Sequence, residues 1–124
     1  AKVACASLKN CDWLLGNAME LHLLLHDLVD YVLIANTFHG APDKTELARE
    51  IGRVLKSKGR LAIINWYPLP REETVILGKP RGPATALRMS PEQTEAAVEP
   101  AGYKLEKRVE FPPYHYGAIF LRTN

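Results

Sequence analysis

Apolar and polar residues are spaced along this chain so that they predict a strand, a loop, a helix and a second strand between positions 30 and 66. Residues 32–34 form a short apolar run, typical of a buried strand, that stops at a polar loop over residues 36–40. Residues 61–64 form a continuous apolar run, as expected of a strand covered on both faces of a parallel sheet. Between them lies an apolar stripe at helical spacing, formed by Leu47, Ile51, Val54 and Leu55.

Residues that typically begin and end helices flank this stripe. Asp43 stands three residues before Glu46, a pattern that caps the start of a helix, and Gly59 suits a left-handed cap after its end. Two parallel strands joined through a helix form a right-handed crossover. Because ligands bind to open sheets outside the carboxyl ends of the strands, we predict the functional site at residues 36–40 and 65–67.

The second half of the chain predicts an irregular segment, a helix and a hairpin. Residues 67–89 are rich in proline and glycine, and connections of this length are typically functional or disordered, so we predict a lid-like segment. Ser90-Pro91-Glu92-Gln93 has the composition of a helix start, and Gly102 marks the end of that helix. Polar and apolar residues alternate over 103–111, and residues 117–122 follow as a second antiparallel strand.

Length, composition and charge limit the classes of function. With 124 residues, 47% hydrophobic and 24% charged, the chain predicts one globular domain, residues 1–124. A net charge of +2 gives no basis for a nucleic-acid surface, and no apolar run approaches the length of a membrane span. Cys5 and Cys11 do not have the spacing of a zinc site or a disulfide framework. We therefore expect a cytoplasmic protein without nucleic-acid or membrane partners.

Three segments in order along the chain resemble motifs of class I S-adenosylmethionine-dependent methyltransferases. Residues 29–33 with 36–39 (VDYVL and NTFH) resemble the family's fourth strand and the loop after it. Residues 55–61 (LKSKGRL) are similar to the turn usually written LKPGGRL before the fifth strand. Residues 16–21 (GNAMEL) resemble the G-D-A-x-x-L segment after the third strand, with Asn17 where aspartate is common. The resemblance extends over about residues 13–122.

The resemblance implies a truncated Rossmann-like α/β fold, mostly parallel with a C-terminal antiparallel hairpin. The family orders its strands 3-2-1-4-5-7-6, and its third strand would correspond to residues 13–15. The Gly-rich turn after the family's first strand has no counterpart, because the first glycine is Gly16. We therefore expect either a fragment of a longer polypeptide or a naturally shortened relative; Ala1 in place of an initiator methionine fits an excised piece.

The resemblance also implies S-adenosylmethionine as the cofactor, together with a set of contact residues. The adenine would lie by Asn17, Ala18 and Met19, and the methionine portion near Asn36, Thr37 and Phe38. The alternative is that these residues only turn the chain at strand ends. An acceptor would contact His39, Trp66 and Tyr67, although surface exposure of His39 and packing of the two aromatic residues would also explain them. No catalytic residue is assigned from the sequence.

Two features bear on metals and partners. His22 and His26 stand at i and i+4, a spacing that can bind metal, but no third ligand is evident and no metal is predicted. Without its neighbour in the sheet, the strand from Tyr31 to Ala35 becomes an apolar edge, which is a pairing hazard. We therefore expect a homo-oligomer or a missing N-terminal half to cover this edge.

Two functional hypotheses follow. In the first, the chain is part of a methyltransferase that acts on a small molecule and is inactive by itself. In the second, it is a non-catalytic module derived from a methyltransferase that serves self-association or partner binding.

Overall fold

A computed structural model describes residues 9–123, which form an α/β domain. The predicted crossover and the C-terminal hairpin are both present. The helices are α1 (Leu21–Leu24), α2 (Lys44–Val54) and α3 (Pro91–Val98). The strands are β1 (Val29–Ala35), β2 (Leu55–Trp66), β3 (Val75–Ile76), β4 (Lys79–Pro80), β5 (Tyr103–Phe111) and β6 (His115–Arg122). Cys5 lies outside the described residues, and Cys11 is a free thiol.

The main sheet has the strand order β1-β2-β6-β5. Strands β1 and β2 run parallel, while β6 is antiparallel to both β2 and β5. This is the 4-5-7-6 part of the order expected from the resemblance, so the truncated Rossmann-like fold class is confirmed. Within the described residues, β1 is one edge of this sheet, as predicted.

The two longer helices begin where their capping residues predict. The Asp43 carboxylate accepts a hydrogen bond from the backbone N–H of Glu46 at 3.0 Å. At the start of α3, Ser90 Oγ accepts from the N–H of Gln93, and the Gln93 side chain accepts from the N–H of Ser90. Gly102 has φ +99° after the short 3-10 turn that follows α3. These local signals are confirmed because each needs only residues within one turn of the chain.

The helices α2 and α3 lie over one face of the sheet and enclose the core. The periodic positions of α2 are buried there with apolar residues from β2 and β6. The largest fully buried apolar side chains include Phe38, Ile51, Leu55, Leu61, Ile63, Val98 and Phe120. The other face is apolar and uncovered in part: Tyr31 is 49%, Leu33 59% and Phe111 42% exposed.

Two predictions about local structure are wrong. Gly59 is not a left-handed helix cap, because α2 ends at Val54 and Gly59 lies buried within β2; the residue with positive φ is Lys58, at +62°. A Cβ at position 59 would lie 2.8 Å from a backbone carbonyl oxygen, so glycine permits a close approach of the backbone. Residues 13–15 do not form a strand, since no neighbouring strand offers them hydrogen bonds within the described structure.

The segment over residues 67–89 is irregular, as predicted, but not featureless. It contains a short hairpin, in which the strands β3 and β4 have two residues each, and two 3-10 turns, Arg71–Glu73 and Thr85–Leu87. Among the described residues, no helix has the length and apolar character needed to cross a membrane.

Candidate functional site

The loop after β1 is fixed at the carboxyl end of the sheet. Asn36 has φ +61°, a left-handed conformation that asparagine tolerates better than most residues, and its N–H donates to the carbonyl of Ile64 at 2.8 Å. Asn36 and Thr37 are exposed, whereas Phe38 is fully buried in the core. Phe38 therefore anchors the loop, and its ring is not accessible to a ligand. His39 follows, half-buried at the surface.

The other predicted cofactor segment is a capped turn. Asn17 Oδ1 accepts a hydrogen bond from the N–H of Met19 at 2.9 Å and so begins the 3-10 turn Ala18–Glu20. Met19 packs against the core, while Asn17 and Ala18 are exposed. Their geometry agrees with chain-turning roles, and it leaves both exposed residues free to meet a ligand.

A buried carboxylate attaches this part of the chain to α2. Glu50 is only 2% exposed and accepts two hydrogen bonds from His22, at 2.8 Å from the backbone N–H and at 2.5 Å from Nδ1. Burial acts to raise the pKa of Glu50, but the two bonds from His22 and the charge of nearby Arg53 outweigh it, so the pKa lies below its ordinary value. His22 thus contacts a structural partner in α2 rather than forming a metal pair with His26.

The aromatic residues at the end of β2 are mostly occupied by packing. Trp66 is 8% exposed and its ring lies 4.1 Å from that of His115, centroid to centroid. The hydroxyl of Tyr67 donates to Glu110 at 2.5 Å, and this bond, followed by burial, raises the pKa of Tyr67 to about 12. Packing therefore accounts for Trp66, whereas Tyr67 is part-exposed as the first residue of the irregular segment.

A polar network that sequence reasoning missed lies beneath this edge. The side-chain amide of Asn65 donates to Thr94 Oγ1 at 3.1 Å and to the hydroxyl of Tyr116 at 3.4 Å. Tyr116 in turn donates to the carbonyl of Met89 at 2.8 Å. The network joins β2, α3 and β6 and fixes the start of α3 beside the carboxyl end of β2. The available signal was a polar residue directly after the apolar run 61–64.

Arg88 is the second residue that sequence reasoning missed. Its side chain is buried, with the residue 6% exposed, and its guanidinium lies 5.0 Å from the centroid of the Trp66 ring. It donates to the carbonyls of Arg81 and Pro83 and to Thr74 Oγ1, at 2.9 to 3.2 Å. Burial, followed by the charge of Arg71, lowers the pKa of Arg88 from its ordinary value. These bonds hold the irregular segment against the sheet.

A cleft opens next to the loop after β1. It has a volume of about 280 Å³, close to the lower end of the usual range for small-molecule sites, roughly 300–1,000 Å³. Burial first, and then the charges of Lys44 and Arg88, lower the pKa of His39, so its imidazole is neutral at pH 7. The lining residues are His39, Lys44, Ala86, Leu87, Arg88, Met89 and Gln93.

Comparison with known proteins identifies the family. The model of the family described as "Methyltransferase domain" matches residues 1–63, just over half of the chain. The chain belongs to this methyltransferase family. No curated protein is significantly similar to it in sequence.

Solved structures of methyltransferases share the fold. An S-adenosylmethionine-dependent methyltransferase from Aquifex aeolicus is 26% identical, with a TM-score of 0.78, and the match covers 98% of this chain and 60% of that one. A protein assigned as a type 11 methyltransferase from Sulfolobus solfataricus is 31% identical, with a TM-score of 0.63, over 77% of this chain and 51% of that one. The trans-methyltransferase CalH, in complex with SAH, is 16% identical with a TM-score of 0.76 and supports the fold alone.

The chain thus has the fold of S-adenosylmethionine-dependent methyltransferases and spans between half and three-fifths of the length of the first two of these structures. Of the predicted contact residues, Asn36, Thr37 and His39 lie together in the loop at the carboxyl end of β1. Trp66 ends the neighbouring strand beneath Arg88.

Proposed function

We propose that this methyltransferase chain contributes to methyl transfer from S-adenosylmethionine to a small-molecule acceptor. The observation that carries the proposal is the loop after β1, where Asn36 and Thr37 are exposed at the carboxyl end of a parallel strand while Phe38 anchors them. The methionine portion of the cofactor would lie against this loop, contacting Phe38 through its backbone. The adenine would lie by Asn17, Ala18 and Met19.

The acceptor would occupy the cleft beside the same loop. S-adenosylmethionine, when bound, supplies an electrophilic methyl group on a sulfonium; in-line attack forms the bond from acceptor to carbon as the carbon–sulfur bond breaks. The rate depends on alignment, which a loop fixed at both Asn36 and Phe38 can provide. A neutral His39 has one ring nitrogen free to accept a proton when the acceptor is a hydroxyl or an amine. Trp66 and Tyr67, which the sequence predicts as further acceptor contacts, are not among the residues that line this cleft.

We further propose that this polypeptide alone does not complete the cofactor site. It contains no Gly-rich turn before Gly16, and such a turn lets the backbone approach the cofactor in this family. The apolar edge at Tyr31 and Leu33 supports a requirement for another strand beside β1, since exposed apolar edges pair readily. The greater length of the similar structures supports the interpretation that this strand belongs to the remainder of a methyltransferase domain.

Calorimetric titration with S-adenosylmethionine tests both proposals. We expect no saturable heat from the 124-residue chain alone, and micromolar binding once the chain is joined to a methyltransferase segment that carries the Gly-rich turn. Micromolar binding by the chain alone would overturn the proposal of an incomplete site. Absence of binding by the joined protein would overturn methyl transfer itself.

Two variants and a sedimentation measurement sharpen the result. In the joined protein, Asn36→Ala should weaken cofactor binding, whereas Asn10→Ala, at an exposed turn, should not. Sedimentation of the chain alone reports on β1: a dimer that Leu33→Lys dissociates would show that a second copy covers the edge. That outcome would contradict the proposal that the remainder of the domain covers it.

A further inference from the structure

We propose that the cleft formed by His39, Lys44 and Arg88 binds an anionic group, carboxylate or phosphate, of the methyl acceptor. Identification of the ligand as the methyl acceptor rests on the proposed function. The anion site itself is inferred from the charges and burial of these residues. The three basic side chains come from the loop after β1, the start of α2 and the segment before α3, and they meet at one cleft.

The first argument is the buried charge of Arg88. Buried charges in proteins are normally paired, because a guanidinium removed from water without a counter-charge loses much of its solvation energy. Arg88 is 6% exposed, yet its hydrogen-bond partners are carbonyl and hydroxyl oxygens, and no carboxylate of residues 9–123 forms an ion pair with it. Its Nη1 donates no hydrogen bond within the described structure. Because Nη1 is itself buried, an anion in the cleft would supply the missing counter-charge through its electrostatic field and not through a direct hydrogen bond to that atom.

The second argument is the positive charge of the side chains that line the cleft. The lining contains no aspartate or glutamate. Lys44 Nζ donates only to the carbonyl of Ala41, at 3.3 Å, and forms no ion pair with any described carboxylate. The charges of Lys44 and Arg88 both act on His39, as expected when like charges lie close together. Glu72 acts on Arg88 from an exposed position but lies beyond ion-pair distance.

The third argument is position. His39 directly follows Phe38, whose backbone belongs to the proposed cofactor loop, so a group bound in the cleft lies beside the proposed methyl donor. An acceptor held by its anionic end would therefore direct the rest of its structure toward the loop. Alignment of this kind is what an in-line transfer requires.

An NMR titration of the 124-residue chain tests the anion site without any cofactor. Amide shifts would be followed while inorganic phosphate or acetate replaces chloride at constant ionic strength. We expect saturable shifts at residues 39–44 and 86–89. Lys44→Gln should weaken the apparent affinity by up to about fivefold, the upper range for a partly exposed ion pair. His39→Gln tests whether the second side chain contributes to the affinity. Lys104→Gln, on β5, changes the net charge as much as Lys44→Gln does and should have no effect on the affinity.

L-methionine distinguishes the acceptor from the cofactor as the source of the anion, since it carries the amino-acid end of S-adenosylmethionine. Its ammonium group should be repelled by the charges of Lys44 and Arg88, so we expect weaker shifts than with acetate. Equal or stronger shifts would overturn assignment of the cleft to the acceptor. The anion site would be overturned if neither phosphate nor acetate caused a saturable shift. It would also be overturned if both the Lys44→Gln and the His39→Gln variant retained the shifts in full. None of these outcomes depends on whether the chain binds S-adenosylmethionine.

Discussion

Replacement of Glu50 by glutamine should loosen the attachment of α1 and the Asn17 turn to α2. Glutamine keeps the size of the side chain but removes the charge that accepts two hydrogen bonds from His22. Both bonds end on Oε2, so a glutamine oxygen placed there can still accept them as neutral bonds, whereas the contact of Oε1 with Arg53 Nη1 at 3.3 Å is lost. The net loss is then about that of one charge-assisted hydrogen bond. Such bonds contribute about 1.5–3 kcal/mol when buried, and Glu50 is only 2% exposed.

The effect should depend on pH in a defined direction. Because the folded state lowers the pKa of Glu50 below its ordinary value of 4.5, the unfolded state binds more protons in acid. The stabilisation is therefore fully present above pH 4.5 and is lost as the pH falls through the folded-state pKa. The difference between wild type and Glu50→Gln should consequently be largest near neutral pH and shrink in acid.

Urea unfolding and amide hydrogen exchange of residues 21–25 provide the assay. Glu46→Gln is a matched control on the same helix, since Glu46 is part-exposed and pairs with Arg49 at the surface. We expect the control to change the free energy of unfolding by less than about 1 kcal/mol. If Glu50→Gln behaves like the control at neutral pH in both assays, the carboxylate does not hold α1 and the reasoning is refuted.

Three further predictions concern packing and ionisation. Gly59→Ala should destabilise the fold by about 1–3 kcal/mol in urea unfolding, since its Cβ would meet a carbonyl oxygen, whereas Gly40→Ala, with open space around it, should be nearly neutral. Tyr103→Phe should cost about 1–2 kcal/mol in thermal unfolding, because its hydroxyl donates to the buried carbonyl of Ala48 at 2.6 Å. The folded state raises the pKa of Tyr67 from 10.0 to about 12, so its contribution is present below pH 10 and lost above it; Tyr67→Phe should show a smaller alkaline loss of stability, measured by urea unfolding across that range.

The parts of the fold that the sequence predicts are those determined by neighbouring residues. Both caps, at Asp43 and at Ser90, act within one helical turn. The alternation of polar and apolar residues over 103–111 indicates a strand with one solvent-exposed face. The prediction that Gly59 caps α2 is wrong because it requires the helix to continue to residue 58, whereas α2 ends at Val54. In the fold, Leu55 is buried as the first residue of β2, and this tertiary contact ends the helix earlier.

The candidate site was only partly predictable, for a related reason. The loop at Asn36 follows from strand position and from the family resemblance. Glu50 and Arg88 look like ordinary surface charges in the sequence, because their partners lie far away along the chain or on a different element: His22 is 28 residues from Glu50, and Trp66 is on β2. No periodic pattern in the sequence indicates that Glu50 and Arg88 are buried.

The burial of Arg88 also changes the interpretation of the irregular segment. Proline and glycine predict a lid-like connection over residues 67–89, yet Arg88 binds Thr74, Arg81 and Pro83 at once and therefore makes residues 74–88 one connected unit. Gly82 permits this, since a Cβ there would lie 2.8 Å from the Trp66 ring. A movement that admits an acceptor must then carry this unit as a whole or break its bonds to Arg88.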